Sequence, residues 1–132
     1  CGGTPEEARR CGCNFDILTF CWVFEECDDI ELTREFLELE DWKWFTESGD
    51  NETVPREAAG AGETDLFVSW GYHTTHCTYM YKKMHRAIMR GKPMDGHLGS
   101  YNHTEHCAWV LTSEGVPDTL VNTRAEVRYP SC

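Results

Sequence analysis

The sequence predicts an α+β fold, mainly α with short β segments. It reads as one small disulfide-stapled domain over residues 1–132, with two motif-bearing helices packed around a metal site. Three observations lead there. A chain of 132 residues supports one modest hydrophobic core rather than two. Helical apolar spacing with start and stop signals recurs along the chain, whereas strand-like runs are only a few residues long. Cys1, Cys11, Cys13, Cys21, Cys27, Cys77, Cys107 and Cys132 form an even set with no Cys-x-x-Cys pair, the pattern of a disulfide framework in an oxidising compartment.

Taken in order, Thr4-Pro5-Glu6-Glu7 supplies a capping residue, a first-turn proline and a glutamate three after the cap, so a short helix is predicted over about 5–11 with Gly12 as its stop. Ile30, Leu32, Phe36, Leu37 and Leu39 fall mainly at helical spacing among charged residues, an amphipathic surface helix. Trp42, Trp44 and Phe45 continue the core beneath it. Residues 47–53 and 60–64 read as loops around a Pro55-led turn or helix. Leu66-Phe67-Val68 suits a strand. A long helix follows from about Gly71 to Arg90, stopped by Gly91 and Pro93. A shorter helix is predicted from Asn102, as its cap, with Glu105 completing a capping box, to about Gly115. The tail alternates weakly through Thr119–Val121 and Ala125–Tyr129, which predicts extended structure.

Composition narrows the partners. Twelve basic against 23 acidic residues give a formal charge of −11, which repels nucleic-acid phosphates and anionic lipid, so no nucleic acid is expected as a partner. No apolar run approaches the roughly 18 residues of a membrane span. The sequons Asn51-Glu52-Thr53 and Asn102-His103-Thr104 mark Asn51 and Asn102 for glycosylation and agree with a secretory or extracellular location. Because the sequence starts at Cys1 without an apolar leader, a removed signal peptide or single-pass anchor is expected upstream, the only expected link to a membrane.

The chemistry lies in an internal repeat. His73-Thr74-Thr75-His76-Cys77-Thr78-Tyr79-Met80 echoes His103-Thr104-Glu105-His106-Cys107-Ala108-Trp109-Val110, both reading His-Thr-x-His-Cys-x-aromatic-apolar. At about 100° per residue, His73 and His76 lie within roughly 60° of each other and one turn apart, as do His103 and His106. Side-by-side helices bring four imidazoles together, a donor set suited to copper, zinc, nickel or iron. His85 follows His76 by nine residues, about 180° around and roughly 13 Å along, and an unbroken helix excludes it. His97, in the loop before the second helix, is a further metal candidate.

Cys77 and Cys107 sit near the metal face and can serve as ligands or disulfide partners, including to each other. Met80 is a candidate axial group or core residue, and Tyr72, Tyr79, Tyr81, Tyr101, Trp70 and Trp109 are candidates for a substrate shelf or for core. Glu105 is a candidate base or a capping residue. No His-Glu-x-x-His, serine-triad or phosphate-loop signature is present, which leaves hydrolysis without support.

The two His-x-x-His-Cys copies, with the lead-in Leu66-Phe67-Val68-Ser69-Trp70-Gly71-Tyr72, resemble the UstYa-like family of fungal proteins. The opening Cys1-Gly2-Gly3-Thr4-Pro5-Glu6-Glu7-Ala8-Arg9 and Gly12-Cys13-Asn14-Phe15-Asp16 are similar to a subgroup with an amino-terminal membrane anchor and a luminal domain. The resemblance implies one or two copper ions held by His73, His76, His103 and His106 as catalytic ligands, with Cys77 and Cys107 associated. It implies oxidation of carbon centres in a peptide or other small-molecule secondary metabolite, by cyclisation, hydroxylation or chlorination, with a same-family protein as a possible homo- or heterodimer partner. Many members follow the second motif with Asp and a Leu-Arg-Gln run, whereas this chain continues Ala108-Trp109-Val110-Leu111-Thr112. The competing expectation is a non-catalytic secreted protein with structural zinc or copper.

Overall fold

A computed structural model of the chain describes residues 1–49 and 52–132, and the Asn51 sequon lies outside the described residues. The chain runs α1 (Pro5–Arg10), β1 (Asn14–Asp16), β2 (Cys21–Val23), α2 (Ile30–Leu39), β3 (Trp44–Phe45), β4 (Thr53–Val54), α3 (Arg56–Gly60), β5 (Leu66–Ser69), α4 (Trp70–Arg90), α5 (Tyr101–Thr112) and β6 (Val121–Ala125), an α+β architecture. The first helix starts as its residues dictate: Thr4 Oγ1 accepts from Glu7 N, and Glu7 Oε2 accepts from Gly3 N. Asp29 caps α2 through Leu32 N. Ser69 caps α4 through Tyr72 N, and Gly91, at φ 62°, closes α4 in the left-handed conformation that a glycine adopts freely.

Two small antiparallel sheets position these helices. β1 and β2 form a hairpin, and a second sheet has the order β4-β3-β5-β6. β5 runs straight into α4, so the sheet fixes where the long helix begins. The main core gathers Leu18, Phe36, Trp44, Val68, Tyr72 and Val110 under the helices. Phe36 stacks on Trp42 at 5.0 Å and meets Tyr72 edge-on at 5.2 Å, so α2 is sealed onto α4 by aromatic contact.

Several expectations are corrected. The second motif helix starts at Tyr101, not Asn102, because Ser100 occupies the cap position and its carbonyl accepts from His103 N and Thr104 N. Asn102 therefore lies inside the first turn, Glu105 completes no capping box, and the helix ends at Thr112 rather than near Gly115. The tail strand is continuous over 121–125, where antiparallel pairing with β5 overrides the weak local alternation. The β1–β2 hairpin has no strong sequence signal: its loop is not Asn-Gly, and Phe20 turns it at φ 55°. That strained backbone is clamped by the tail, since Arg128 N donates to Phe20 O and Trp22 N donates to Arg128 O.

Disulfides join Cys1 to Cys13 and Cys27 to Cys132, while Cys11, Cys21, Cys77 and Cys107 are thiols, all among the described residues. Four of the eight cysteines are thus paired, and the motif cysteines, left open between ligand and disulfide, form no bridge. The Cys27–Cys132 link spans 105 residues. A loop of that order removes denatured-state entropy worth roughly 4.7 kcal/mol in the chain-entropy picture.

Candidate metal centre

The two motif helices lie against each other, and their four imidazoles face one another across the contact. His73 Nε2 stands 3.0 Å from His106 Nε2. Ring centroids are 5.0 Å apart for His73–His106, 5.8 Å for His76–His103, 6.3 Å for His73–His76 and 6.4 Å for His103–His106. The rings therefore form a rough rectangle, each helix supplying one long side. Two imidazole nitrogens on one tetrahedral ion at about 2.05 Å would be about 3.3 Å apart, so the His73–His106 pair needs little adjustment to grip a metal.

Hydrogen bonds aim the rings on α4. His76 Nδ1 donates to Leu18 O at 2.8 Å, which leaves Nε2 as the lone-pair nitrogen. Leu18 belongs to the hairpin loop, and that loop is fixed by Asp16: its carboxylate accepts from Leu18 N, Thr19 Oγ1 and Thr33 Oγ1 and pairs with Lys83 Nζ at 2.7 Å. Asp16 and Lys83 are both almost fully buried, and the lysine lies seven residues beyond His76 on the same helix. The α4 helix thus carries both a candidate ligand and the cation that locks the loop orienting it. Burial opposes the ionised form of each partner, while the mutual attraction holds Asp16 below and Lys83 above the ordinary range.

On the sheet side, Thr123 Oγ1 lies 3.0 Å from His73 Nδ1 and donates to Asn122 Oδ1. With that hydroxyl proton committed to Asn122, His73 Nδ1 donates to Thr123 and Nε2 presents its lone pair to the centre. Burial first, and then the neighbouring imidazoles of His106 and His103, bring His73 down to about 4. His76 falls to about 3, mainly because burial penalises its cation. Both rings are neutral at neutral pH, the form that ligates metal.

His97 joins the cluster from the loop before α5. Its ring stacks on His103 with centroids 4.0 Å apart, and burial followed by repulsion from His103 lowers it to about 3. Asp95 Oδ1 accepts from His97 N and Leu98 N and so holds this loop over the centre. Ligand atoms of His76, His103 and Cys107 lie within 4.8 Å of one another, a His-His-Cys group of a kind that can hold a metal ion.

A cavity of about 670 Å³ opens beside the centre, in the size range of small-molecule sites. Its inner wall is histidine, its sides include Trp70, Trp109 and Phe20, and its polar rim includes Arg124, Glu126 and Arg128. Trp70 meets the His73 ring at 5.5 Å and Trp109 meets His106 at 6.2 Å.

Two proteins of Diaporthe leptostromiformis are similar to this chain: phomopsin biosynthesis cluster protein B′ and phomopsin biosynthesis cluster protein B. Each is 27% identical over 125 residues, covering 86% of this chain and 36% of the relative. The chain spans only about a third of the length of these curated relatives. No protein-family model matches the chain, and no solved structure matches it at a significant level.

The remaining candidates separate by position. His85 is exposed on α4 and does not line the cavity. Met80 is buried in the main core rather than on the cavity wall, so it packs beneath the motif. Tyr72 lines the cavity, but its hydroxyl is committed to Ile17 O at 3.1 Å. Tyr101 is exposed and outside the cavity lining, and Tyr79 and Tyr81 bond Glu35 and Thr104 instead. Asn102 stands at the cavity edge. Leu18, Thr123, Asp16 and Lys83 leave no motif because they act through a backbone carbonyl or through partners distant in sequence, whereas Asp95 acts locally, on the amides two and three residues ahead.

Proposed function

We propose that the chain is a copper-dependent oxidoreductase of the UstYa-like kind, acting on a peptide or other secondary metabolite by oxidative cyclisation, hydroxylation or halogenation. The observation that carries the reading is the His73–His106 nitrogen pair, 3.0 Å apart and open to the cavity. Similarity to proteins named for phomopsin biosynthesis supports a place in fungal secondary metabolism. The disulfides support a secretory lumen or extracellular setting, with anchorage and a same-family dimer partner as parts of the same proposal.

Copper bound here would supply one-electron and dioxygen chemistry that no side chain of this centre performs alone. The chain's own residues do the rest. Leu18 O and Thr123 Oγ1 keep Nε2 of His76 and His73 turned inward, so the donors are set before a metal arrives. Trp70 and Trp109 give apolar walls against which a substrate is held near the imidazoles, and Arg124, Glu126 and Arg128 offer polar contacts at the rim. Closed coordination marks structural metal, whereas this centre faces a cavity, which favours the catalytic reading over structural zinc or copper.

Metal content by mass spectrometry, on protein from an oxidising host, tests the proposal beside a variant carrying His73→Ala and His103→Ala. Copper in fixed ratio, lost in the variant, is expected. Zinc in fixed ratio, or no metal in either protein, would sink the oxidase reading.

A further inference from the structure

We propose that Cys107 is a thiolate ligand, so that the centre consists of two unlike metal positions: His76, His103 and Cys107 at its base, and His73 with His106 beside Trp70 and Trp109. This inference rests on the metal-binding reading above and assigns its ligands. Cys107 Sγ lies 3.8 Å from His103 Nε2. Sulfur at about 2.3 Å and nitrogen at about 2.05 Å from one tetrahedral ion would be about 3.6 Å apart, so the observed spacing is close to that of two ligands sharing a metal. The third donor is supplied by His76, whose Nδ1 is committed to Leu18 and whose remaining nitrogen is free.

The sequence repeat suggests that Cys77 and Cys107 are equivalent, and the packing makes them different. Each follows the first histidine of its motif by four residues, one turn along the same face. Cys107 reaches the ligand cluster from the short helix. Cys77, fully buried in the main core, lies outside that cluster. One thiol is thus a candidate donor to metal, and the other is a core residue.

The two positions differ in chemistry. Imidazole with thiolate is a soft set that favours Cu(I) or zinc over harder ions, and Cys107 is almost completely shielded from solvent. His73 and His106 bring no sulfur and adjoin Trp70 and Trp109, so their side keeps room for a substrate. Ligation at the base releases the Cys107 proton to solvent and changes no oxidation state.

The full chain, stripped of metal and loaded with Co(II) without oxygen, should show an intense thiolate-to-cobalt charge-transfer band. Cys107→Ser should lose it, whereas Cys77→Ser and His73→Ala should keep it. Loss of the band in either of the last two would overturn the assignment. X-ray absorption on the unsubstituted protein loaded with Cu(I) guards against misfolding of the serine variant, with a sulfur neighbour expected at about 2.3 Å. A nitrogen- and oxygen-only shell around bound metal, or a Cys77–Cys107 disulfide in metal-loaded protein, overturns this inference and leaves the metal reading standing. Failure of any metal to bind overturns both.

Discussion

The two copies of the His-Thr-x-His-Cys motif share their spelling and almost nothing of their surroundings. The first copy lies early in the 21-residue α4, where His73 is buried, Cys77 is sealed in the core, and both histidines are hydrogen bonded from outside the helix. The second copy occupies the 12-residue α5, with His106 exposed and His103 stacked on His97 rather than bonded to a fixed carbonyl. Identical side chains therefore acquire different surroundings: the first copy's rings are held by groups outside their helix, and the second copy's rings face them from a more exposed helix. A repeat in sequence is a repeat of ligand chemistry only; burial and outer-shell partners set how each ligand behaves.

The sharpest way to break this contrast is to cut the support behind the first copy. Asp16→Asn leaves Lys83 buried without its counter-charge and should cost about 3–5 kcal/mol in denaturant unfolding. A loss below about 1 kcal/mol would show that the hairpin loop does not depend on the pair.

Acid should unfold the metal-free chain next. His73, His76 and His97 have folded values of about 4, 3 and 3, below the unfolded 6.5, so the unfolded state binds more protons between these limits. Their contribution is whole above about 6.5 and is lost progressively as pH falls toward 3. Chemical denaturation across this range should show stability declining from pH 6.5 downward. A flat profile would contradict neutral, buried imidazoles.

A smaller effect sharpens the comparison at the metal itself. Thr123→Val removes the hydroxyl behind His73 and should weaken metal binding by about 10–100-fold in titration calorimetry, with the fold intact by circular dichroism. Unchanged affinity would mean that His73 needs no outer-shell partner. Smallest of all is Glu105→Ala in the second copy. Because Glu105 is exposed and completes no capping box, its loss should move the melting free energy by less than about 0.5 kcal/mol. A working box would have cost on the order of 1 kcal/mol.

Legibility follows the range of the forces involved. Thr4 with Pro5, the amphipathic run Ile30–Leu39, and the stop at Gly91 act within a few residues, and each reads directly from the chain. The β1–β2 hairpin and the placement of β6 depend on partners far away in sequence, such as Arg128 beside Phe20, and left no local mark. Trp109, in the stretch that follows the second motif, forms part of the cavity wall, a placement no local pattern announces.

By itself the sequence determined the α+β class, the two helices and the four imidazoles at helical spacing, because periodicity and cap chemistry are local properties. Helix geometry in the sequence had already set His85 apart, and the tertiary structure decided that His97 joins them. It also decided that the two motif cysteines remain thiols, and that Leu18, Thr123, Asp16 and Lys83 aim the rings. Those outcomes depend on which distant surfaces meet in the core, and burial there sets both the geometry and the protonation of every candidate ligand on α4.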